Sequence, residues 1–123
     1  MPFRNSPQYL ADILNSIRLI EEFVGTMTYD EYKSDRKTQA AVERELQIVT
    51  EAATRLGDEA ETLCPGPPWP KIRGLGNVIR HAYDYIVQTE VWHTVQSDVP
   101  PLKAAVESSL AAIAEKSPTD PTP

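Results

Sequence analysis

Residues 36–56 read RKTQAAVERELQIVTEAATRL and form the longest amphipathic stretch of the chain. Apolar residues recur in it at three- and four-residue steps, the period of a helix with one buried face. They are Val42, Leu46, Val49, Ala53 and Leu56, with Ile48 and Ala52 widening the face. Gly57 follows directly and predicts the end of this helix. The stretch therefore predicts a long helix that buries one side against other elements.

The segments on either side show the same helical period and no strand-like alternation. A capping box, Thr28 with Glu31, predicts a short second helix, and residues 58–63 add a further helical turn. The other predicted helices cover residues 7–24, 69–83, 89–96 and 100–116. We therefore expect an all-α fold, a compact up-and-down bundle of five to six helices. One domain is expected over residues 1–116, followed by a disordered C-terminal tail at 117–123.

Composition restricts the classes of protein that need be considered. The chain has 123 residues, a net charge of −6 and no apolar run near the ~20 residues that a membrane span requires. Its amino terminus lacks the apolar core of a secretion signal, so we expect a cytoplasmic protein with no membrane partner. One cysteine and two histidines cannot form a Cys/His zinc site, and no metal or cofactor is expected. The negative charge argues against nonspecific coating of nucleic acid, although local basic sites remain open.

One predicted helix, residues 69–83, carries a stripe of polar groups. The stripe consists of Arg73, Asn77, Arg80, His81 and Asp84, which fall within about a third of the helix circumference. Sequence periodicity alone favours a solvated polar face, and a functional site is the alternative. Gly74 and Gly76 are unfavourable inside a helix, which indicates either close helix packing or access for a ligand or second chain.

The sequence motifs of this region resemble those of a known family. Residues 68–86 read PWPKIRGLGNVIRHAYDYI, and residues 91–107 read VWHTVQSDVPPLKAAVE. Together they resemble the carboxy-terminal half of the HepT-like toxins of the HEPN superfamily. The matching features are the Pro-Trp entry, the Gly-Asn step before His-x-Tyr, and the Val-Trp-x-x-Val helix. Residues 42–57 resemble the third helix of the family, with Arg44 and Glu51 at its polar positions.

The resemblance implies a HEPN-like, metal-independent endoribonuclease toxin that works as a homodimer. In such dimers the Arg and His of both subunits line a cleft at the two-fold interface where RNA is cut. It also implies an MntA-like nucleotidyltransferase antitoxin as partner, which blocks the toxin by AMPylation, here of Tyr83.

Each candidate site residue has an expected role in that chemistry. His81 is the expected general acid or base, because its pKa suits proton transfer near neutral pH. Arg80 or Arg73 is the expected phosphate clamp, because a planar guanidinium pairs well with phosphate oxygens. Asn77 is a positioning amide, and Arg44, Glu51 and Asp84 are supporting residues.

One departure from the family pattern keeps other functions open. The family usually has an Arg separated by four to six residues from the His, whereas Gly76 lies five before His81 and Arg73 lies eight before it. Two explanations are open: Arg80 replaces the missing guanidinium, or the chain has lost nuclease activity. A non-catalytic helical dimer that binds a nucleotidyltransferase is therefore one alternative, and a domain that binds a nucleotide is another. For His81 the alternative is a buried histidine satisfied by a carboxylate.

Overall fold

The protein was analysed as a computed structural model, which describes residues 5–80 and 85–116. Every regular element in these two ranges is helical, so the expected all-α bundle is confirmed. The elements are α1 (Ser6–Val24), α2 (Tyr29–Lys33), α3 (Arg36–Leu56), α4 (Glu59–Leu63), α5 (Trp69–Arg80), α6 (Tyr85–His93), a π-helical turn (Thr94–Asp98) and α7 (Val99–Lys116). The predicted tail at 117–123 lies outside the described residues and stays a prediction.

Helix α3 is the element around which the others pack. It contacts α1 along much of its length and α5 on a second side, and α7 packs in turn against α1. The predicted apolar positions of α3 are buried except for half-buried Ile48, and they join a core to which every described helix contributes. The largest fully buried side chains include Trp69, Tyr32, Leu10, Ile13, Ile17 and Leu46. Among the described helices, none combines the length and apolar character that crossing a bilayer requires.

The start of α2 and the end of α3 lie where the sequence predicts them. The Oγ1 of Thr28 accepts a hydrogen bond from the Glu31 N–H at 3.2 Å, and the Glu31 carboxylate accepts one from the Thr28 N–H at 2.9 Å. This reciprocal pair is the expected capping box. Gly57 terminates α3 with φ +56°, a backbone conformation that residues other than glycine rarely adopt.

The carboxy-terminal helices differ from the prediction in both their start and their continuity. The helix expected at 89–96 begins at Tyr85, and it runs through the π-helical turn into α7 instead of breaking before residue 100. The Val99 N–H donates to the carbonyl of Thr94, five residues back. This wide turn lets the helix pass Pro100, which lacks an N–H, so the prolines that suggested a new helix start do not interrupt the path.

Two ion pairs near the surface join α1 to α7. Arg18 pairs with Glu107 at 3.6 Å, and Lys103 pairs with Glu21 at 3.0 Å. Pairs of this kind contribute about 0–1 kcal/mol each, because water screens them and long side chains lose freedom. They orient α7 more than they stabilise the core.

Trp69→Phe is expected to destabilise the fold by about 2–3 kcal/mol, because two losses coincide. The indole Nε1 of the fully buried Trp69 donates to the Cys64 carbonyl at 2.8 Å, and phenylalanine leaves both that acceptor and a small cavity behind. Trp92→Phe is the matched control, since Trp92 is only half-buried and packs by ring contacts. Urea unfolding measures both variants, and an equal loss in the two would contradict this account of Trp69.

Candidate functional site

The predicted polar stripe begins on α5. Arg73 and Asn77 lie on this helix, and the Asn77 side chain is exposed. The backbone of Arg80 belongs to the last turn of α5. The Arg80 side chain lies outside the described part of the structure, as do His81, Tyr83 and Asp84, so their assigned roles stay predictions.

Arg73 is held by the end of α3. Its Nη2 donates to the Gly57 carbonyl at 2.8 Å, and its Nε donates to the Ala53 carbonyl at 3.3 Å. The same guanidinium pairs with the Glu61 carboxylate at 3.1 Å. A cation in this position satisfies carbonyls that the helix end leaves unpaired and complements its negative dipole end. This placement gives Arg73 a structural role at the end of α3.

The two glycines of α5 have different surroundings. Gly76 is buried, which fits the packing explanation. Gly74 is exposed, and a Cβ added there would meet no atom within 4 Å. Gly74 therefore belongs to an open surface, which fits the alternative explanation of access.

An open groove runs along α5 on the side of Gly74. It has a volume of about 640 Å³ and lies between α5 and the helical stretch 89–98. Its walls are mostly apolar and include Ile72, Leu75 and Val78. At one end Lys71 and Asp98 form an ion pair at 3.3 Å. His93, to which the sequence assigned no role, also lines this groove.

A hydrogen-bonded cluster fixes the start of α6. The Tyr32 hydroxyl donates to Gln88 Oε1 at 2.7 Å, and Gln88 Nε2 donates to the Glu43 carboxylate. Tyr32 is fully buried, and its ring lies 5.1 Å from that of Trp92. Burial, followed by the nearby negative charge of Glu43, raises the pKa of the Tyr32 hydroxyl. Gln88 is thus clamped by α2 and α3 four residues beyond Asp84.

The sequence analysis predicted Arg44 as a supporting residue, whereas the adjacent Glu43 is the residue that binds Gln88. Arg44 and Glu51, the supporting residues, are both exposed on α3 and face away from the core. Glu43 was missed, although it borders the apolar face of α3, where a carboxylate needs a polar partner. Its position at that border was the available signal. Within the described ranges, no three His, Cys, Asp or Glu side chains come together as a metal site.

Comparison with known proteins identifies similar chains. The family profile described as Ribonuclease HepT-like matches residues 13–109. A Thermococcus cleftensis protein named “Probable ribonuclease HepT” is 36% identical over 104 residues, which cover 85% of this chain and 94% of that protein. A Methanocaldococcus jannaschii protein named “Putative RNase” is 34% identical, over 87% of this chain and 98% of its own length. No solved structure matches the chain.

Tyr32→Phe is expected to reduce the loss of stability at alkaline pH. Because the pKa of Tyr32 is raised in the fold, the unfolded chain loses this proton first, from about pH 10 upward. The stabilising contribution is therefore complete below pH 10 and declines above it. At pH 8 the variant is expected to be about 1 kcal/mol less stable, because Gln88 loses a donor. Urea unfolding at pH 8 to 11 measures the difference between the two proteins, and a difference that does not shrink above pH 10 would contradict the coupling.

Proposed function

The chain belongs to the ribonuclease HepT-like family, and from this membership we propose that it is an endoribonuclease. We propose further that it is the toxin of a bacterial or archaeal toxin–antitoxin system. The observation that carries the proposal is the extent of the family match, residues 13–109, which includes every predicted site residue. Two relatives that share over a third of the aligned positions carry ribonuclease names, which supports the same activity here.

The proposed reaction needs no metal. The ribose 2′-oxygen attacks the adjacent phosphorus and loses its proton, while the 5′-oxygen leaves and gains one. His81 moves a proton in this step as general acid or base, which is typically worth ~10²–10⁴-fold in rate. A guanidinium stabilises the charge that develops on the phosphorane oxygens. Asn77, exposed on α5, orients the phosphate through its amide.

Arg80 is the proposed source of that guanidinium. Arg73 already donates to two carbonyls and one carboxylate, so few of its donors remain for a phosphate. If Arg73 moved to bind a phosphate, the carbonyls of Ala53 and Gly57 at the end of α3 would lose their hydrogen bonds. Arg80 therefore supplies the charge next to His81, since Gly76 stands where the family usually has an arginine. Asp84, which follows on the same predicted stripe, supports His81.

The site is proposed to lie between two copies of the chain. The groove beside Gly74 supports this, because half-buried Leu75 and Val78 leave apolar surface open along α5. A symmetric dimer covers such a surface by presenting the same patch twice. His81 and Arg80 of both copies would then line one shared cleft.

A small MntA-like nucleotidyltransferase is the proposed antitoxin. It would transfer AMP from ATP to the Tyr83 hydroxyl and release pyrophosphate. The bulky, charged adduct two residues from His81 would obstruct an RNA phosphate at the site. The order His-x-Tyr in the sequence is what supports this assignment.

A second candidate is a non-catalytic helical dimer that binds the nucleotidyltransferase or a nucleotide. Two observations favour it: Gly76 stands in place of the family arginine, and Arg73 is occupied by α3. In that case Arg80 would bind phosphate without assisting bond cleavage.

His81→Ala is expected to reduce RNA cleavage by roughly 10²-fold or more, since a positioned proton donor is lost. Arg80→Ala is expected to do similar damage, and Arg80→Lys is expected to rescue it only partly because an ammonium lacks the planar donor fork. Gel analysis of a 5′-labelled RNA measures the rate. Arg73→Ala is the comparison: it is expected to lower the stability toward unfolding and to leave the cleavage rate of the folded protein near that of the wild type.

These measurements require folded dimers. Light scattering of the wild type is done first, and a monomer mass at micromolar concentration would contradict the shared cleft. Thermal melting then checks each variant. Full activity in a folded His81→Ala protein would exclude this histidine, and a greater rate loss in folded Arg73→Ala than in Arg80→Ala would make Arg73 the clamp. A wild type that cleaves no RNA would leave the non-catalytic candidate.

AMPylation by the cognate nucleotidyltransferase with ATP is expected on Tyr83 and not on Tyr85, Tyr29 or Tyr32. The hydroxyls of Tyr29 and Tyr32 are already bonded to Thr89 and Gln88, which makes them poor acceptors. Mass spectrometry of proteolytic peptides locates the adduct, and Tyr83→Phe is the control that should remove it. An adduct on Tyr85 alone would reject the assignment.

A further inference from the structure

The solvent face of α3 carries a row of cations. Arg36, Lys37, Arg44 and Arg55 are all exposed on this helix. At 100° per residue, Lys37, Arg44 and Arg55 fall within about 20° of one another, and Arg36 lies at the edge of the same face. We call these four residues the α3 cationic stripe. At 1.5 Å per residue the stripe from Lys37 to Arg55 is about 27 Å long.

Most described cations outside the stripe are paired with a carboxylate; Lys33, which lies over the Tyr29 ring, is the exception among the described side chains. Arg18, Lys71, Arg73 and Lys103 each form an ion pair within 4 Å. Within the part of the chain that the structure describes, no member of the stripe forms one. The nearest recorded charge interaction is that of Lys37 with Asp35, which lowers the pKa of that carboxyl after the larger effect of its bonds to Thr38.

Three acidic neighbours of the stripe are committed to other groups, while half-buried Glu45 and exposed Glu51 lie on α3 itself. The Asp35 carboxylate caps α3 through the Thr38 N–H and hydroxyl, and the Glu43 carboxylate binds Gln88. Glu61, beyond the end of α3, binds Arg73. Glu51 is the acidic residue that lies among the cations on the exposed face. With four cations and one acid, this face is positive although the whole chain carries −6.

We propose that the α3 cationic stripe is the surface that holds the phosphate backbone of the RNA substrate. Three of its four members are arginines, whose planar donor forks suit phosphate oxygens. At ~3.4 Å per nucleotide of a stacked strand, 27 Å corresponds to about eight phosphates. This inference rests on the proposed ribonuclease function and specifies where the strand lies outside the reacting bond.

The composition of the face indicates backbone contacts and not base or protein contacts. Helix α3 contains no aromatic residue, so it offers no platform on which bases stack. Protein interfaces centre on aromatic or aliphatic anchors with few charges, whereas the apolar surface beside the stripe is limited to half-buried Ile48 and small alanines. Backbone contact alone predicts binding that depends on salt and not on base sequence.

The test is equilibrium binding of 2′-O-methyl RNA, which cannot be cleaved through its 2′-oxygen. Fluorescence anisotropy of labelled 12-nucleotide oligo(U) and mixed-sequence RNA is measured with the full chain at several salt concentrations. Arg44→Gln/Arg55→Gln is expected to weaken binding on the order of tenfold near 0.1 M salt, and to reduce the log–log salt slope by about 1.4. The loss should be the same for both RNAs, and Glu51→Gln should strengthen binding.

Arg18→Gln is the matched control, because Arg18 is an exposed helix arginine that lies on α1 and pairs with Glu107. It should bind RNA as the wild type does, and circular dichroism melting should show all variants folded. Equal losses in the control and the double variant would overturn the inference, as would wild-type binding by the double variant or no RNA binding by the wild type. A double variant that keeps RNA but loses the nucleotidyltransferase would make the stripe a protein-docking surface and also overturn it.

Cleavage of unmodified RNA separates this inference from the proposed function. If the wild type cleaves RNA while the double variant binds RNA normally, the ribonuclease proposal is supported and the RNA-binding role of the stripe is rejected. If the wild type binds RNA through the stripe and cleaves none, the stripe stands and the nuclease proposal fails.

Discussion

Burial of the apolar face of α3 is the constraint on which the remaining arrangement depends. Its seven buried positions extend over most of the helix, and α1 and α5 both pack against them. Covering this face from two sides brings the beginning and the end of the chain around one central element. The opposite face of α3 is left in water as a consequence. That face carries the cations, so the packing that stabilises the fold also sets the position of its main positive surface.

Both sides of the predicted motif are attached to this same helix. Before residues 81–84, Arg73 joins α5 to the carbonyl end of α3; after them, Gln88 joins α6 to Glu43. A charged side chain bound to buried or half-buried groups is expensive to remove, because the partners lose their bonds without regaining water. The segment that carries His81 and Tyr83 is thus flanked by two polar attachments to a rigid helix. Such attachment is what a reaction that depends on side-chain position requires.

The parts of the fold that local sequence controls were predictable, and those that depend on distant partners were not. The 3.6-residue period located α1, α3 and α7, and the capping box located α2, because these signals lie within one helix. The continuous path from Tyr85 to Lys116 was missed because a proline pair indicates a helix start, whereas a wide turn at Thr94–Asp98 accommodates it. In the site, Arg73 was predicted as one of two candidate phosphate clamps. Its true partners, Ala53, Gly57 and Glu61, are separated from it by 12 to 20 residues of sequence, which periodicity does not detect.

If this acidic chain binds RNA as proposed, the attraction has to come from a local group of cations, because the net charges of the two molecules have the same sign. At physiological salt, charges more than about 8 Å apart at the surface are largely screened, so the net −6 acts weakly on a strand already in contact. What matters at contact is the sign of the nearest groups. The ion pairs formed by Arg18, Lys71, Arg73 and Lys103 neutralise cations elsewhere. Near the α3 cationic stripe, the carboxylates of Asp35 and Glu43 are engaged by Thr38 and Gln88, and Glu51 is the exposed acid that remains among the cations. Separation of this kind leaves one positive face on a chain whose net charge is negative.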